Sequence, residues 1–257
     1  MSWSADTPGV RHYDGEAVDA LSARWQLEAV YAFASVGSTL DVAHRMAPSA
    51  KSGTLVLADE QTAGRGRQGR RWSSAPGAGV WLTLIERPAD ARALDVLAVR
   101  CGLYAAEALD DLAGAAVGVK WPNDLYVAGR KLAGILIETR WRGTAPDWVA
   151  IGFGLNVHPP QLDQASGLAP EATRIAALDR LVPALRRAAM ASRHLSDDEL
   201  VRWRARDIAV GKQVTEPAVG SVQGITASGA LLISGQAGGT STHRSGSLTF
   251  AAPLTCS

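Results

Sequence analysis

Gly134-Ile135-Leu136-Ile137-Glu138 and Trp148-Val149-Ala150-Ile151-Gly152-Phe153-Gly154-Leu155-Asn156-Val157 are the two runs whose reading decides the fold. Both are rich in β-branched and large apolar residues, and the segment between them holds turn formers such as Gly143, Pro146 and Asp147. That pattern predicts two antiparallel strands. Working outward, Thr54-Leu55-Val56-Leu57-Ala58 and Val80-Trp81-Leu82-Thr83-Leu84-Ile85 read as buried strands. Val117–Trp121 reads as a strand stopped by Pro122, which cannot donate to a ladder. Residues 27–36 read as a strand or a short helix, because periodicity does not separate the two. A helix is expected from a cap at Ser38 or Thr39 through Met46. In residues 92–113, Leu94, Leu97, Cys101, Tyr104, Ala105, Ala108 and Leu112 recur at helical spacing. Residues 171–207, rich in Ala, Leu and Arg, read as helical. The expected fold class is α/β (α+β), a mixed sheet flanked by helices.

After Val210 the texture changes. Short alternating runs at 213–215, 219–226, 230–234 and 247–250 are punctuated by glycine, which predicts a small β-barrel or sandwich. The expected division is an N-terminal, flexible segment at 1–26, a catalytic unit at 27–207 and a C-terminal barrel at 208–257.

Composition narrows the possibilities. Hydrophobic residues make up 47% of the 257-residue chain and charged residues 20%, so a globular core is expected. Lys+Arg number 26 against Asp+Glu 25, so no general nucleic-acid footprint exists. Two cysteines, Cys101 and Cys256, make no disulfide framework and lack metal spacing. Cys101 reads as a small core residue and Cys256 as exposed. No apolar run is long enough for a membrane span, and the first residues lack a signal-peptide pattern, so the expected location is cytoplasmic.

Against this neutral background, Gly64-Arg65-Gly66-Arg67-Gln68-Gly69-Arg70-Arg71-Trp72 concentrates positive charge. Glycine permits close backbone approach, and arginine offers a fork for phosphate or carboxylate. The stretch reads as an anion-gripping loop or as a solvated basic loop. Lys120-Trp121-Pro122-Asn123-Asp124 ends a strand with an amide, which can read a nucleobase edge, and a carboxylate, which can serve Mg²⁺ beside phosphates. Lys131 precedes the small-residue run Ala133-Gly134. Gly152 and Gly154 alternate on a strand and leave one face bare.

Gly64–Trp72, Lys120–Asp124, Lys131–Leu136 with Glu138, and Gly152–Val157, in this order and spacing, resemble the biotin protein ligase family. Gly37-Ser38-Thr39 and the C-terminal barrel match it more loosely. The likeness runs over roughly residues 36–250. It implies a class II synthetase-like catalytic domain and a two-step reaction. Biotin and ATP give biotinyl-5′-AMP with Mg²⁺ as cofactor, and a lysine on the biotin carboxyl carrier domain of a carboxylase then takes the biotin. Two like unit charges ~4 Å apart repel by about 4 kcal/mol at an effective dielectric of ~20, so cations must offset the meeting of carboxylate and phosphate.

Residue by residue, the resemblance implies that Ser38, Thr39, Gln61, the backbone at Gly64-Arg65, and Gly134, Gly152 and Gly154 bind biotin. Lys131 would bridge the biotin carboxyl and the α-phosphate. Arg67, Trp72, Asn123, Asp124, Lys131 and Asn156 would bind ATP, with Trp72 near the adenine and Asn123 reading its edge. Lys131, Arg67 and Arg65 would be catalytic, and Asp124 would meet the metal. Arg70 and Arg71 read as surface charges. Leu40 and Ser247 depart from the family, which tends to carry Asn and an acidic residue there. A winged-helix DNA-binding module needs more chain than the 36 residues before Gly37, so the expectation is a purely catalytic ligase without sequence-specific DNA binding. A monomer and a homodimer are both compatible. A lipoate–protein ligase and a non-catalytic biotin sensor stand as alternatives.

Overall fold

The computed structural model describes residues 8–88, 90–191, 193–235 and 238–253. The chain opens with a hairpin of β1 (His12–Tyr13) and β2 (Glu16–Ala17), followed by α1 (Val18–Arg24). Its turn is Asp14-Gly15, with φ of 51° and 82°. An Asp-Gly pair is the usual chemistry for a two-residue turn with both centres left-handed. The segment expected to be flexible therefore contains a hairpin and a helix, and residues 1–7 lie outside the described chain.

β3 (Ala29–Val36), α2 (Thr39–Met46), β4 (Thr54–Gln61), β5 (Gly79–Glu86) and α3 (Leu97–Ala113) follow. Then come β6 (Gly118–Lys120), β7 (Asp124–Val127), β8 (Arg130–Arg142) and β9 (Ala145–Asn156). These strands make one seven-stranded sheet in the order β3-β4-β5-β9-β8-β7-β6. Only the β3–β4 pair is parallel, so the sheet is mixed. The decisive pair, β8 and β9, is antiparallel as expected, and its register sets Gly134 opposite Gly154 and Leu136 opposite Gly152.

Period-two alternation explains the layering. On β4, Leu55 and Leu57 face the larger core, shared with Leu97, Leu103 and Leu109 of α3. Val56 and Ala58 face a second core with Leu40, Val42 and Ala43 of α2. A strand buried on both faces reads as a continuous apolar run. Each large side chain buried this way contributes ~1.5–3 kcal/mol.

The helical stretch at 171–207 is two helices, α4 (Arg174–Met190) and α5 (Asp197–Arg206). The break has a sequence signal. Ser196 accepts a hydrogen bond from Glu199 N–H, and the Glu199 carboxylate accepts from Ser196 N–H, which starts a new helix. β10 (Gln213–Glu216), β11 (Gly220–Ile225), β12 (Leu231–Ser234), β13 (Thr240–His243) and β14 (Thr249–Phe250) form a five-stranded antiparallel sheet in the order β13-β12-β11-β10-β14. β7 and β13 are strands that the sequence reading did not separate. Cys101 is buried in the larger core, and Cys256 lies outside the described residues. Among the described residues, no helix is long and apolar enough to cross a membrane.

Candidate functional site

One cleft gathers most of the residues singled out from the sequence. It lies over β8 and β9, between the start of α2, the 64–72 segment and the β6–β7 turn. Ser38, Thr39, Gln61, Arg65, Arg67, Trp72, Asn123, Asp124, Lys131, Gly134, Gly152 and Gly154 all line it. Gly64 and Asn156 do not.

Its inner end is neutral and polar. Ser38 is the N-cap residue of α2, yet its side chain makes no capping hydrogen bond. Thr83 donates to the Thr39 hydroxyl at 2.9 Å. The hydroxyl and backbone N–H of Thr39 both donate to Gln61 Oε1, at 3.1 and 2.9 Å. Gln61 Nε2 donates to Ser74 Oγ at 2.8 Å. Such a chain fixes the rotamers and donor directions of every member. Leu40, Leu82, Leu136 and Phe153 supply apolar walls. The arrangement suits a compact, uncharged, hydrogen-bonding ring.

The outer end is cationic. The 64–72 segment is a hairpin, with Trp72 N–H donating to Gly64 O at 2.9 Å and Gly66 N–H to Arg70 O at 2.7 Å. A Cβ on Gly64 would sit 2.5 Å from the Trp72 carbonyl oxygen, so the hairpin root needs glycine. Arg67 is half-buried and donates to Asn123 Oδ1 at 3.1 Å. Burial draws its pKa below the usual arginine value, against the pull of Asp124. Lys131 Nζ lies 2.7 Å from Asp124 Oδ1 and 5.3 Å from the Trp72 ring centre.

Lys120 adds a cation that the sequence reading quoted in its motif without giving it a role. Its ammonium lies 5.1 Å from the Phe250 ring and 5.7 Å from the Tyr126 ring. Burial lowers its pKa, with Asp124 opposing and Lys131 and Arg70 reinforcing. Arg67, Lys120 and Lys131 thus converge on one carboxylate, Asp124, and Arg70 adds a further charge to the lining, leaving the cleft with uncompensated positive charge. An anion is the partner such a field favours.

Several expected roles look different in three dimensions. Asn123 is used at both ends of its amide: Oδ1 accepts from Arg67 and Nδ2 donates to Ile135 O at 2.7 Å. It braces Arg67 against the sheet. Arg65 lines the cleft, but its guanidinium pairs with Asp41 at 2.9 Å and Glu138 at 3.4 Å on the rim. Glu138 also contacts His44. The glycine strip is not bare. A Cβ on Gly154 would fall 2.6 Å from Trp72 Nε1, and one on Gly152 would fall 3.0 Å from Leu40. The glycines make room for these two side chains. The Trp72 indole N–H is buried without an acceptor among the described residues.

Asn156 donates to Ser166 O at 3.0 Å and lines an adjoining cleft of ≈ 740 Å³. Trp72, Lys120, Lys131, Tyr126 and Phe250 line that cleft too, so the two share a wall. Ser247 and Leu248 of the C-terminal segment reach the first cleft. No sequence signal other than the departure at Ser247 marks them.

Among the described residues, no group of three or more His, Cys, Asp or Glu side chains could hold a metal. A Mg²⁺ ion carried on nucleotide phosphates needs only one or two protein carboxylates, and Asp124 supplies one. The donor set fits that mode and no all-protein cage.

Comparison with known proteins agrees with this geometry. The biotin/lipoate A/B protein ligase family matches residues 32–156. The chain is 34% identical over 233 residues to the biotin–[acetyl-CoA-carboxylase] ligase of Paracoccus denitrificans, covering 80% of this chain and 94% of that one. It is 38% identical over 142 residues to the bifunctional ligase/repressor BirA of Bacillus subtilis, covering 54% of this chain. The match spans only 44% of that relative's length. Among solved structures, the biotin protein ligase from Aquifex aeolicus in complex with biotin and ATP is 25% identical with a TM-score of 0.69, over 88% of this chain and all of that one. With the sequence motifs gathered in one cleft and these relatives in agreement, the chain belongs to the biotin protein ligase family.

Proposed function

We propose that this chain activates biotin with ATP and transfers it to one lysine of a biotin carboxyl carrier domain, in the cytoplasm. The observation that carries the reading is the polarity of the cleft. A neutral hydrogen-bonding end built from Ser38, Thr39 and Gln61 runs into an end where Arg67, Lys120 and Lys131 surround Asp124. The ureido ring and apolar body of biotin suit the first end. The meeting of its carboxylate with the α-phosphate suits the second.

A carboxylate oxygen attacks the α-phosphorus, an O–P bond forms, and pyrophosphate leaves with the electrons of the broken bond. Lys131 and Arg67 lower the repulsion between the two anions and stabilise the charge on the transition state. Mg²⁺, bound with the nucleotide and met by Asp124, would add charge neutralisation at the phosphates. The adenosine is assigned to the adjoining cleft, walled by Trp72, Tyr126, Phe250 and Asn156. The acceptor amine then attacks the activated carbonyl carbon, forms the amide and releases AMP.

The Paracoccus relative's name supports a carboxylase carrier as acceptor. The near-neutral charge of the chain supports the absence of sequence-specific nucleic-acid binding. The change from mixed sheet to small antiparallel sheet after α5 supports a division into 27–207 and 208–257. Mass spectrometry of a carrier domain incubated with this chain, biotin and Mg-ATP tests the proposal. The expected result is one biotinyl group on one lysine. Pyrophosphate exchange with lipoate in place of biotin would favour the lipoate–protein ligase, and biotin binding without exchange would favour a sensor.

A further inference from the structure

Besides the Arg67–Asn123 bond and one from Arg71 to Thr62 O, the arginine hairpin is held at its root and at its tip. At its root, Arg65 pairs with Asp41 and Glu138. At its tip, Ser247 Oγ donates to Gln68 Oε1 at 2.9 Å, across 179 positions of sequence. The tip is a tight turn in which Gln68 and Gly69 are both left-handed, with φ of 55° and 73°. A glutamine in that region costs conformational energy, so a contact that holds it carries weight.

Ser247 stands on a firm base. The preceding Gly246 has φ of 131° and lies so close to Pro217 that a Cβ would come within 3.2 Å of that ring. The following Leu248 is buried in the larger core. Val214 pairs with Phe250, and Thr249 Oγ1 donates to Glu216 at 2.7 Å. Ser247 is thus fixed by contacts that do not involve the hairpin. Arg67 is bonded directly to Gln68 along the chain, and its guanidinium reaches Asn123 in the cleft.

We infer that Ser247 is a positioning residue for the nucleotide end of the cleft: by holding Gln68 it sets the hairpin tip so that Arg67 points at the phosphates. The inference rests on the reading of the cleft proposed above. It predicts an effect at one end only, since Thr39 is held by Thr83 and Gln61 by Thr39 and Ser74, without the hairpin tip.

The test uses the full chain and biotin-dependent pyrophosphate exchange. Ser247→Ala and Gln68→Ala are each expected to raise KM for ATP about fivefold, the scale of one neutral hydrogen bond. KM for biotin stays within about twofold, and Ser247→Thr, which keeps the hydroxyl, restores wild-type behaviour. The double variant is no worse than either single one, because both remove the same bond. Wild-type KM for ATP in both variants, equal rises for both substrates, or additive effects would overturn the inference. Should the wild-type chain show no exchange at all, the proposed function fails. The contact is then read by limited trypsin cleavage after Arg67 and Arg70. Faster cleavage in Ser247→Ala supports the docking of the tip, and an unchanged rate overturns it.

Discussion

At the scale of single residues, Lys131 shows how position limits the partners of an ordinary side chain. It sits at the start of β8, where the apolar run leaves little to bond with except Asp124 at 2.7 Å and the face of Trp72. A lysine is a compact charge that can follow a moving phosphate, whereas an arginine is a fixed fork. Lys131→Ala is expected to fold with wild-type stability, because its partner Asp124 keeps access to water and to Lys120. Pyrophosphate exchange should fall ~10²-fold or more, the scale of removing one oriented electrostatic group. Exchange near the wild-type rate would remove Lys131 from the chemistry. The motif made the meeting of Lys131 and Asp124 in one cleft legible, because charged residues beside an apolar strand have few structural uses. It did not reveal that Asn123 bonds Arg67 and Ile135, because those partners lie far from it in sequence.

At the scale of elements, the helical layer is pinned by one buried ion pair. Arg100 on α3 donates from Nε to Glu199 on α5 at 2.7 Å, and its Nη2 donates to His194 O at 2.9 Å. The side chain of Arg100 is 1% exposed and that of Glu199 is 7% exposed. Tyr104 also donates to the same carboxylate, at 3.0 Å. These bonds hold Glu199 below the ordinary glutamate pKa, although its burial works the other way. The pair also holds the connection between α4 and α5, because the carbonyls that Arg100 meets, those of Arg193 and His194, belong to it. Removing one partner of a buried pair leaves the other charge stranded. Arg100→Ala is therefore expected to cost about 3–5 kcal/mol in urea unfolding. A loss under about 1 kcal/mol would show that water reaches Glu199 in the variant.

At the scale of the whole molecule, the cleft is closed by parts far apart in the chain. Trp121 Nε1 donates to Gly229 O at 2.9 Å, which ties the β6–β7 turn to the C-terminal sheet. Asp207 lies where α5 leads into that sheet. It accepts from Ala209 N–H at 2.9 Å and from Trp203 Nε1 at 3.3 Å, and forms a bridge with Val119 on β6. Burial raises its pKa from 3.8 to about 6 despite those donors. Below about pH 4 the group is protonated both folded and unfolded. Between about pH 4 and 6 the unfolded chain releases the proton while the folded one keeps it. Stability from this group therefore falls as pH rises through that window and stays lower above it. Asp207→Asn is expected to lack that fall and to gain at most about 3 kcal/mol relative to wild type at neutral pH, offset by the acceptor it loses. Urea melts at several pH values check this, and identical pH slopes in both proteins would contradict it.

The sequence by itself determined the central strands of the large sheet, the helix of residues 97–113 and the charged motifs, because those depend on local periodicity and on residues whose chemistry is the same wherever they lie. The β8–β9 run, the arginine stretch and the lysine at 131 are of this kind. The tertiary structure alone decided how they are used. It filled the glycine strip with Trp72 and Leu40, turned Arg65 outward to Asp41 and Glu138, gave Lys120 a place in the cleft and brought Ser247 to the hairpin tip. Each of these is a contact between segments distant in sequence, and no local pattern encodes which partner a side chain meets once two cores and two sheets have packed.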